Sequence, residues 1–224
     1  MKKSVEEHAA RFSEKADEYD DSKSDEYHAC ANLVVAYADP TPDDVVADLG
    51  AGTGAIALAL APHANRVLAR DISEGMMEKG REKAAAAGVD NVEFAYGEFR
   101  TPEIDPDQRV DVVTSNFALH HLADDEKREA IRVMADTGAR RIVLGDVAFF
   151  EEPDPDAPFY GPEVDDPATV GALVEMFTAV GFAVTAVERV HDQVAVIVAE
   201  RRGSEAEGLR TGVESAADAE RRSR

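Results

Sequence analysis

The segment Val46-Ala47-Asp48-Leu49-Gly50-Ala51-Gly52-Thr53-Gly54 joins an apolar run to a helical pattern through a turn with three glycines and an acid. Glycines let a backbone approach a ligand with no Cβ in the way, and the first strand-to-helix turn of an open α/β sheet is where nucleotide-like ligands bind. Gly50, Ala51, Gly52 and Gly54 are therefore candidate ligand contacts. A dinucleotide turn reads G-x-G-x-x-G and holds a pyrophosphate at a helix N-terminus. Here the turn reads D-x-G-x-G-x-G, with different spacing and an added acid. Asp48 repels a diphosphate and attracts a cationic or amino-bearing group, so a cationic adenosine-like ligand fits better. Asp71 ends the next apolar run 21 positions after Gly50. That is near the offset of about 20 residues for a carboxylate that accepts from ribose hydroxyls. The pair His120-His121 has the residue type for proton transfer near neutral pH, but a helix-start or packed histidine is an equal reading.

Such a turn needs a parallel strand behind it and helices beside it. Apolar runs at Val45–Leu49, Arg66–Asp71, Val92–Tyr96, Val110–Ser115 and Arg141–Val147 read as strands. Helices are expected from Thr53 to about Ala61, from the Ser73 cap to the stop at Gly88, and from about Asp124 to Asp136. Strand-helix repetition of this kind implies parallel strands with right-handed crossovers and helices on both faces. Phe182–Arg189 and Val194–Arg201 are separated only by Val190-His191-Asp192-Gln193, too short for a crossover, so they are expected to close one edge as an antiparallel hairpin. The expected fold is α/β, a doubly wound and mostly parallel seven-stranded sheet with a C-terminal antiparallel hairpin and an N-terminal helical cap. The cap spans residues 1–40, with two helices between Val5 and Tyr37 broken near Asp20-Asp21-Ser22, and Ala29, Leu33, Val34, Ala36 and Tyr37 on one stripe. Residues 41–202 form the ligand-binding domain, and residues 203–224 read as a frayed polar tail. The proline-rich, acidic stretch from Ala148 to Pro167 reads as a long loop beside a site; its Phe149, Phe150, Phe159 and Tyr160 either wall a pocket or anchor the loop.

Composition narrows the function classes. Among 224 residues, 24 Lys and Arg against 46 Asp and Glu give a net charge of −22, a field that repels nucleic-acid backbones and anionic lipid surfaces. No stretch reaches about 18 apolar residues and the N-terminus has no apolar central segment, so a cytoplasmic protein with no nucleic-acid or membrane partner is expected. The single Cys30 offers neither an internal disulfide nor a thiol zinc cluster and reads as a small core residue. Only seven of the basic residues are Lys, and carboxylates are spread along the chain, which points to a halophilic, high-salt cytoplasm.

The glycine turn resembles motif I of the class I S-adenosylmethionine-dependent methyltransferases, and later features from roughly Tyr19 to Arg201 follow that family in order. The resemblance implies a Rossmann-like fold and S-adenosyl-L-methionine as cofactor, with no metal required. It implies that Asp71 holds the ribose. Ile72 and Met76 of Asp71-Ile72-Ser73-Glu74-Gly75-Met76 match positions that pack near the adenine. Glu98 and Phe99 of Tyr96-Gly97-Glu98-Phe99 match positions that read the base. Asn116 and Phe117 open the turn Ser115-Asn116-Phe117-Ala118-Leu119-His120-His121-Leu122, similar to a His-His-Leu in many small-molecule members. Tyr19-Asp20 resembles a flap over the cofactor. His121 is the first candidate base and His120 the second, needed only when the nucleophile arrives protonated. The turn departs from the N/D-P-P-Y of enzymes that methylate amide or base nitrogens, and a single cysteine argues against RNA carbon methylases that attack with a thiolate. A small-molecule acceptor and a monomer or homodimer are expected. Two other classes stay open. An NAD(P)-dependent oxidoreductase is disfavoured by the glycine spacing and Asp48, and a non-catalytic cofactor-binding regulator is allowed because the assigned residues concern the cofactor.

Overall fold

Val45–Leu49 forms β1, five residues buried without interruption, as a central parallel strand must be. A computed structural model describes residues 4–151, 159–161 and 163–203. In chain order the elements are α1 (Val5–Lys15), α2 (Asp25–Ala38), β1, α3 (Ala55–Leu60), β2 (Arg66–Asp71), α4 (Glu74–Ala87), β3 (Val92–Tyr96), β4 (Val112–Asn116), α5 (Asp124–Asp136), β5 (Arg141–Phe149), β6 (Ala168–Thr169), α6 (Val170–Ala179), β7 (Phe182–His191) and β8 (Val194–Arg201). The sheet runs β3-β2-β1-β4-β5-β8-β7, with the two-residue β6 paired to β5.

Strands β1 to β5 are parallel, and β8 pairs antiparallel with both β5 and β7. From β1 the chain winds outward through β2 to β3, then returns to β4 and winds the other way. Right-handed crossovers in opposite directions put their helices on opposite faces. Side-chain alternation agrees: Val46, Val67, Ala69, Val112 and Val143 pack with α2, α3 and α4, while Ala47, Leu68, Val113, Ile142 and Leu144 pack with α5 and α6. The direction reverses between β1 and β4, and in open α/β sheets a ligand crevice opens at that point, beyond the carboxyl ends of the strands.

Several boundaries differ from expectation. The first crossover helix is shorter, because Gly54 adopts a left-handed conformation at its start and a 3₁₀ turn containing Pro62 ends it. Strand β4 begins at Val112 and not Val110, since the Asp111 carboxylate takes the Val45 N–H at 2.9 Å. The buried stripe of α2 is Cys30, Val34 and Ala38; Ala29 and Ala36 face solvent, and Tyr37 reaches out to Glu188. The hairpin loop is only Asp192-Gln193, because His191 pairs with Val194. Helix α6 emerges where no helix was assigned: Thr169 caps it through the Ala172 N–H (3.1 Å), and Leu173, Met176 and Phe177 form its buried face. Cys30 is fully buried, as read from sequence. The tail beyond Gly203 lies outside the described residues.

Candidate active site

A cleft of about 140 Å³ opens over the carboxyl ends of β1 and β2. Tyr19, Gly50, Gly52, Asp71, Ile72, Met76, Glu98, Phe99, Phe117 and His121 line it, so ten residues singled out in the sequence meet on one wall system. Val5, His8 and Phe12 of α1, with Arg100, Leu122 and Glu126, complete the outer part. Helix α1 is thus the piece of the opening segment that covers the cleft, whereas α2 packs on the sheet against β4, β5 and β8.

The glycine turn has φ of +70° at Gly50 and +54° at Gly52, a region that other residues enter at a cost. A Cβ on Gly50 would sit 2.5 Å from the Ala118 Cβ, and one on Gly52 would approach the Tyr19 ring across the cleft at 3.8 Å. The turn's amides are spoken for: Gly50 and Ala51 donate to the Arg70 carbonyl (2.8 and 3.0 Å), Gly52 to Asp71 Oδ2 (2.7 Å) and Gly54 to the Ala51 carbonyl (2.9 Å). A pyrophosphate-cradling loop needs those N–H groups free.

Asp71 ends β2 with its carboxylate on the cleft wall, where it also accepts the Ser73 N–H at 2.8 Å. Burial pushes its carboxyl upward, against the pull of the Ser73, Gly52 and Ile72 amides. Asp48 is different from its expected placement. It lies beneath the turn at 1% exposure and off the cleft wall, because it is a residue inside β1 and its side chain follows the strand's alternation. Its Oδ1 accepts the Thr114 hydroxyl at 2.8 Å, while Oδ2 makes no hydrogen bond of normal geometry. Burial is the main cause that raises the Asp48 carboxyl to about 7, with the Asp71 charge adding to it and the Thr114 hydroxyl opposing. Ala51, Gly54, Asn116 and His120 also sit off the wall: Gly54 starts α3, Asn116 is buried at the end of β4, and His120 is turned inward.

Phe117 follows β4 with φ +53°, one of three non-glycine residues of positive φ among those described. Its N–H donates to the Gly145 carbonyl at 2.8 Å, which holds the kink and turns the ring into the cleft wall. Such strain concentrates at functional sites. Glu98 receives the Tyr96 hydroxyl at 2.8 Å beside Phe99. Tyr19, on the cleft wall, precedes a 3₁₀ turn fastened by Asp20, which accepts the Thr53 hydroxyl (2.6 Å) and pairs with Lys83 (2.8 Å). Lys23 stands 3.2 Å from the Tyr19 ring centre and 4.2 Å from that of Tyr27, and burial pulls its ammonium down to about 7.

The His120-His121 turn carries two carboxylate partners that the sequence reading missed. His120 Nδ1 meets Asp146 Oδ1 at 2.5 Å, and the His120 N–H donates to Asp146 Oδ2 at 3.0 Å. His121 Nδ1 meets Asp165 Oδ1 at 2.7 Å. The partners stand 26 and 44 residues from the histidines, so no local motif signals them. Lys127, fully buried, donates to the Leu122 carbonyl at 2.7 Å and to the Asp166 carbonyl, and the Asp166 N–H donates to the His120 carbonyl at 2.7 Å. These bonds staple the end of the acidic loop to the histidine turn. The loop aromatics act as anchors: Phe149 packs on Tyr160 at 5.4 Å, Phe159 on His191 at 5.1 Å, Phe150 lies under Arg189, and none lines the cleft.

Residues 46–138, which include the glycine turn and the histidine turn, match the methyltransferase domain family. That stretch carries the chain's likeness to methyltransferases. The chain is 33% identical over 144 residues to an uncharacterized methyltransferase, YcgJ, of Bacillus subtilis (strain 168), covering 63% of this chain and 56% of that protein. It spans about half the length of the relatives it matches. Among solved structures, the complex of the Haloferax volcanii Trm112 methyltransferase activator with a putative methyltransferase superimposes with a TM-score of 0.71 at 20% identity, over 86% of this chain and 98% of that one. A DhpI–SAH complex gives 0.69 at 23% identity, over 88% and 96%. Both likenesses establish the fold. The cleft suits S-adenosylmethionine on three counts: bare glycine faces the cleft, Asp71 stands on its wall, and a buried Asp48 oxygen below lacks a normal partner.

Proposed function

We propose that this protein is a methyltransferase that moves the methyl group of S-adenosylmethionine to a small-molecule acceptor by direct in-line displacement in the cytoplasm. The observation that carries the reading is the state of the glycine turn. Four of its amides are spent within the protein, and two carboxylates, Asp71 and Asp48, stand at and beneath it. Negative field without free N–H donors favours a sulfonium and an ammonium over a pyrophosphate. Asp71 receives the ribose hydroxyls, Ile72, Met76, Glu98 and Phe99 hold the base, Phe117 and Tyr19 flank the methionine arm, and Asp48 offers charge toward its amino end. Among the described residues no helix is long and apolar enough to cross a membrane.

The bound cofactor supplies an activated methyl on a cationic sulfur. This chain's residues align it and exclude water, contributions worth up to about 7–11 kcal/mol when alignment is good. Helix α1 lines the outer cleft, whose apolar residues Val5, Phe12 and Leu122 suit a small, largely apolar acceptor. Incubation with S-adenosylmethionine bearing a trideuterated methyl and a metabolite extract tests this. Mass spectrometry should find a metabolite that gains one labelled methyl; cofactor binding with no labelled product would sink the enzymatic reading.

A further inference from the structure

The acceptor end of the cleft contains machinery that methyl donation does not need. His121 is the histidine on the cleft wall, and its Nδ1 is taken by Asp165 at 2.7 Å. The other Asp165 oxygen accepts the Gly161 N–H at 2.7 Å, so both carboxylate oxygens are acceptors and His121 must supply the proton at Nδ1. That leaves Nε2 with an open lone pair, the basic form of the ring. Beside it, His120 is locked by Asp146, with its ring centre 4.1 Å from that of His121 and its Nε2 3.9 Å from Asp165 Oδ1. His8 and Phe12 of α1 face His121 at 5.2 and 5.5 Å between ring centres.

We propose that the acceptor is a hydroxyl compound on an apolar scaffold, that His121 Nε2 takes its proton, and that Asp165 is the positioning residue that holds His121 in this tautomer. The inference rests on the methyltransferase reading and deepens it. An ammonium-free amine or a thiolate attacks a sulfonium without a base, whereas a phenol-like hydroxyl ionises near 10 and needs one at neutral pH. The balance is simple. The O–H bond breaks to Nε2, the oxygen pair forms the new C–O bond, the C–S bond breaks with its electrons left on sulfur, and S-adenosylhomocysteine and a methyl ether leave while the imidazolium returns its proton to solvent.

Electrostatics agree with the assignment. Burial pulls the His121 imidazole below its ordinary value, the Asp165 hydrogen bond pulls it back, and His120 and Asp146 act with opposite signs; His8, Tyr19, Asp71, Glu98, Arg100 and Glu126 are the other titratable and charged groups that line the cleft. For Asp165, burial pushes upward, but His121, His120 and the Gly161 N–H outweigh it and keep the carboxyl below its usual range.

The test uses the full chain labelled with ¹⁵N. Long-range proton–nitrogen spectra at pH 7.5 should show His121 protonated at Nδ1 and bare at Nε2. In Asp165→Asn, the amide oxygen is claimed by Gly161 and its NH₂ faces the ring, so the tautomer should switch to Nε2–H. Asp165→Glu, which keeps a carboxylate, should restore it and guards against a variant that merely unfolds. With trideuteromethyl cofactor and extract, the label should sit on oxygen. Its yield should fall roughly 10²–10⁴-fold in His121→Ala. In Asp165→Asn the acid limb of the pH profile should move to lower pH under a reduced plateau. A wild-type ring already protonated at Nε2, or label on nitrogen, carbon or sulfur, overturns this inference alone. Stoichiometric zinc that survives dialysis and whose removal by dipicolinate abolishes transfer also overturns it, since His120, His121 and Asp165 would then be ligands and not base and carboxylate. A chain that neither binds S-adenosylhomocysteine nor transfers methyl removes the methyltransferase reading as well.

Discussion

Asp71 and Asp48 differ by where their strands end, and each makes its own prediction. Asp71 reaches the cleft, so Asp71→Ala should weaken S-adenosylhomocysteine binding by about 1.5–3 kcal/mol, roughly 10- to 150-fold in calorimetry. Asp48 lies inside, with its carboxyl raised to about 7 by burial. A carboxyl raised in the folded state is protonated there while the unfolded chain has ionised it, so stability falls as pH climbs from about 4 to about 7 and is flat above. Asp48→Asn should therefore raise the melting temperature of the free protein at pH 8, by up to about 4 kcal/mol of stability, and change it little at pH 4. The same variant should bind cofactor more weakly. At this scale the sequence disclosed residue types and not directions. The acids, the glycines and the histidine pair were legible, but Asp48 pointing below the turn and Asp146 and Asp165 meeting the histidines depend on contacts that only the assembled sheet creates.

The elements were legible wherever a short apolar run stood between turn signals. β1, β2, β3 and α5 begin and end where their patterns do, and Ser73 and Gly88 cap α4 as their types imply. What escaped was α6, since an apolar stripe that starts directly after a proline-rich stretch offers no spacing to separate helix from loop. Lys127 is the element-scale counterpart: a charged residue on an amphipathic helix reads as solvated, yet it is buried and pins the loop end to the histidine turn through two carbonyls. Lys127→Met keeps the length and removes the donors. It should cost roughly 1–3 kcal/mol of stability. Hydrogen exchange at residues 163–167 should quicken more than in β1 or β5; uniform quickening would contradict the staple.

For the whole molecule, the doubly wound sheet places the cleft and the net charge sets its solvent. With −22 charges on 224 residues, self-repulsion is long-ranged when the Debye length is about 10 Å at 0.1 M salt and short when it is about 3 Å at 1 M. The melting temperature should rise between those concentrations of KCl, even though attractive surface pairs such as Lys83–Asp20 are screened too. A fall would contradict a halophilic surface. The topology was legible because five parallel runs and a terminal hairpin leave few un-knotted arrangements, and its switch point between β1 and β4 is where the glycine turn was expected to matter.

The most direct check is a calorimetric comparison in high salt, titrating the full chain with S-adenosylhomocysteine and with NAD. The account predicts one saturable site for the thioether nucleoside and no heat of binding from the dinucleotide. Saturable NAD binding with no response to S-adenosylhomocysteine would contradict it.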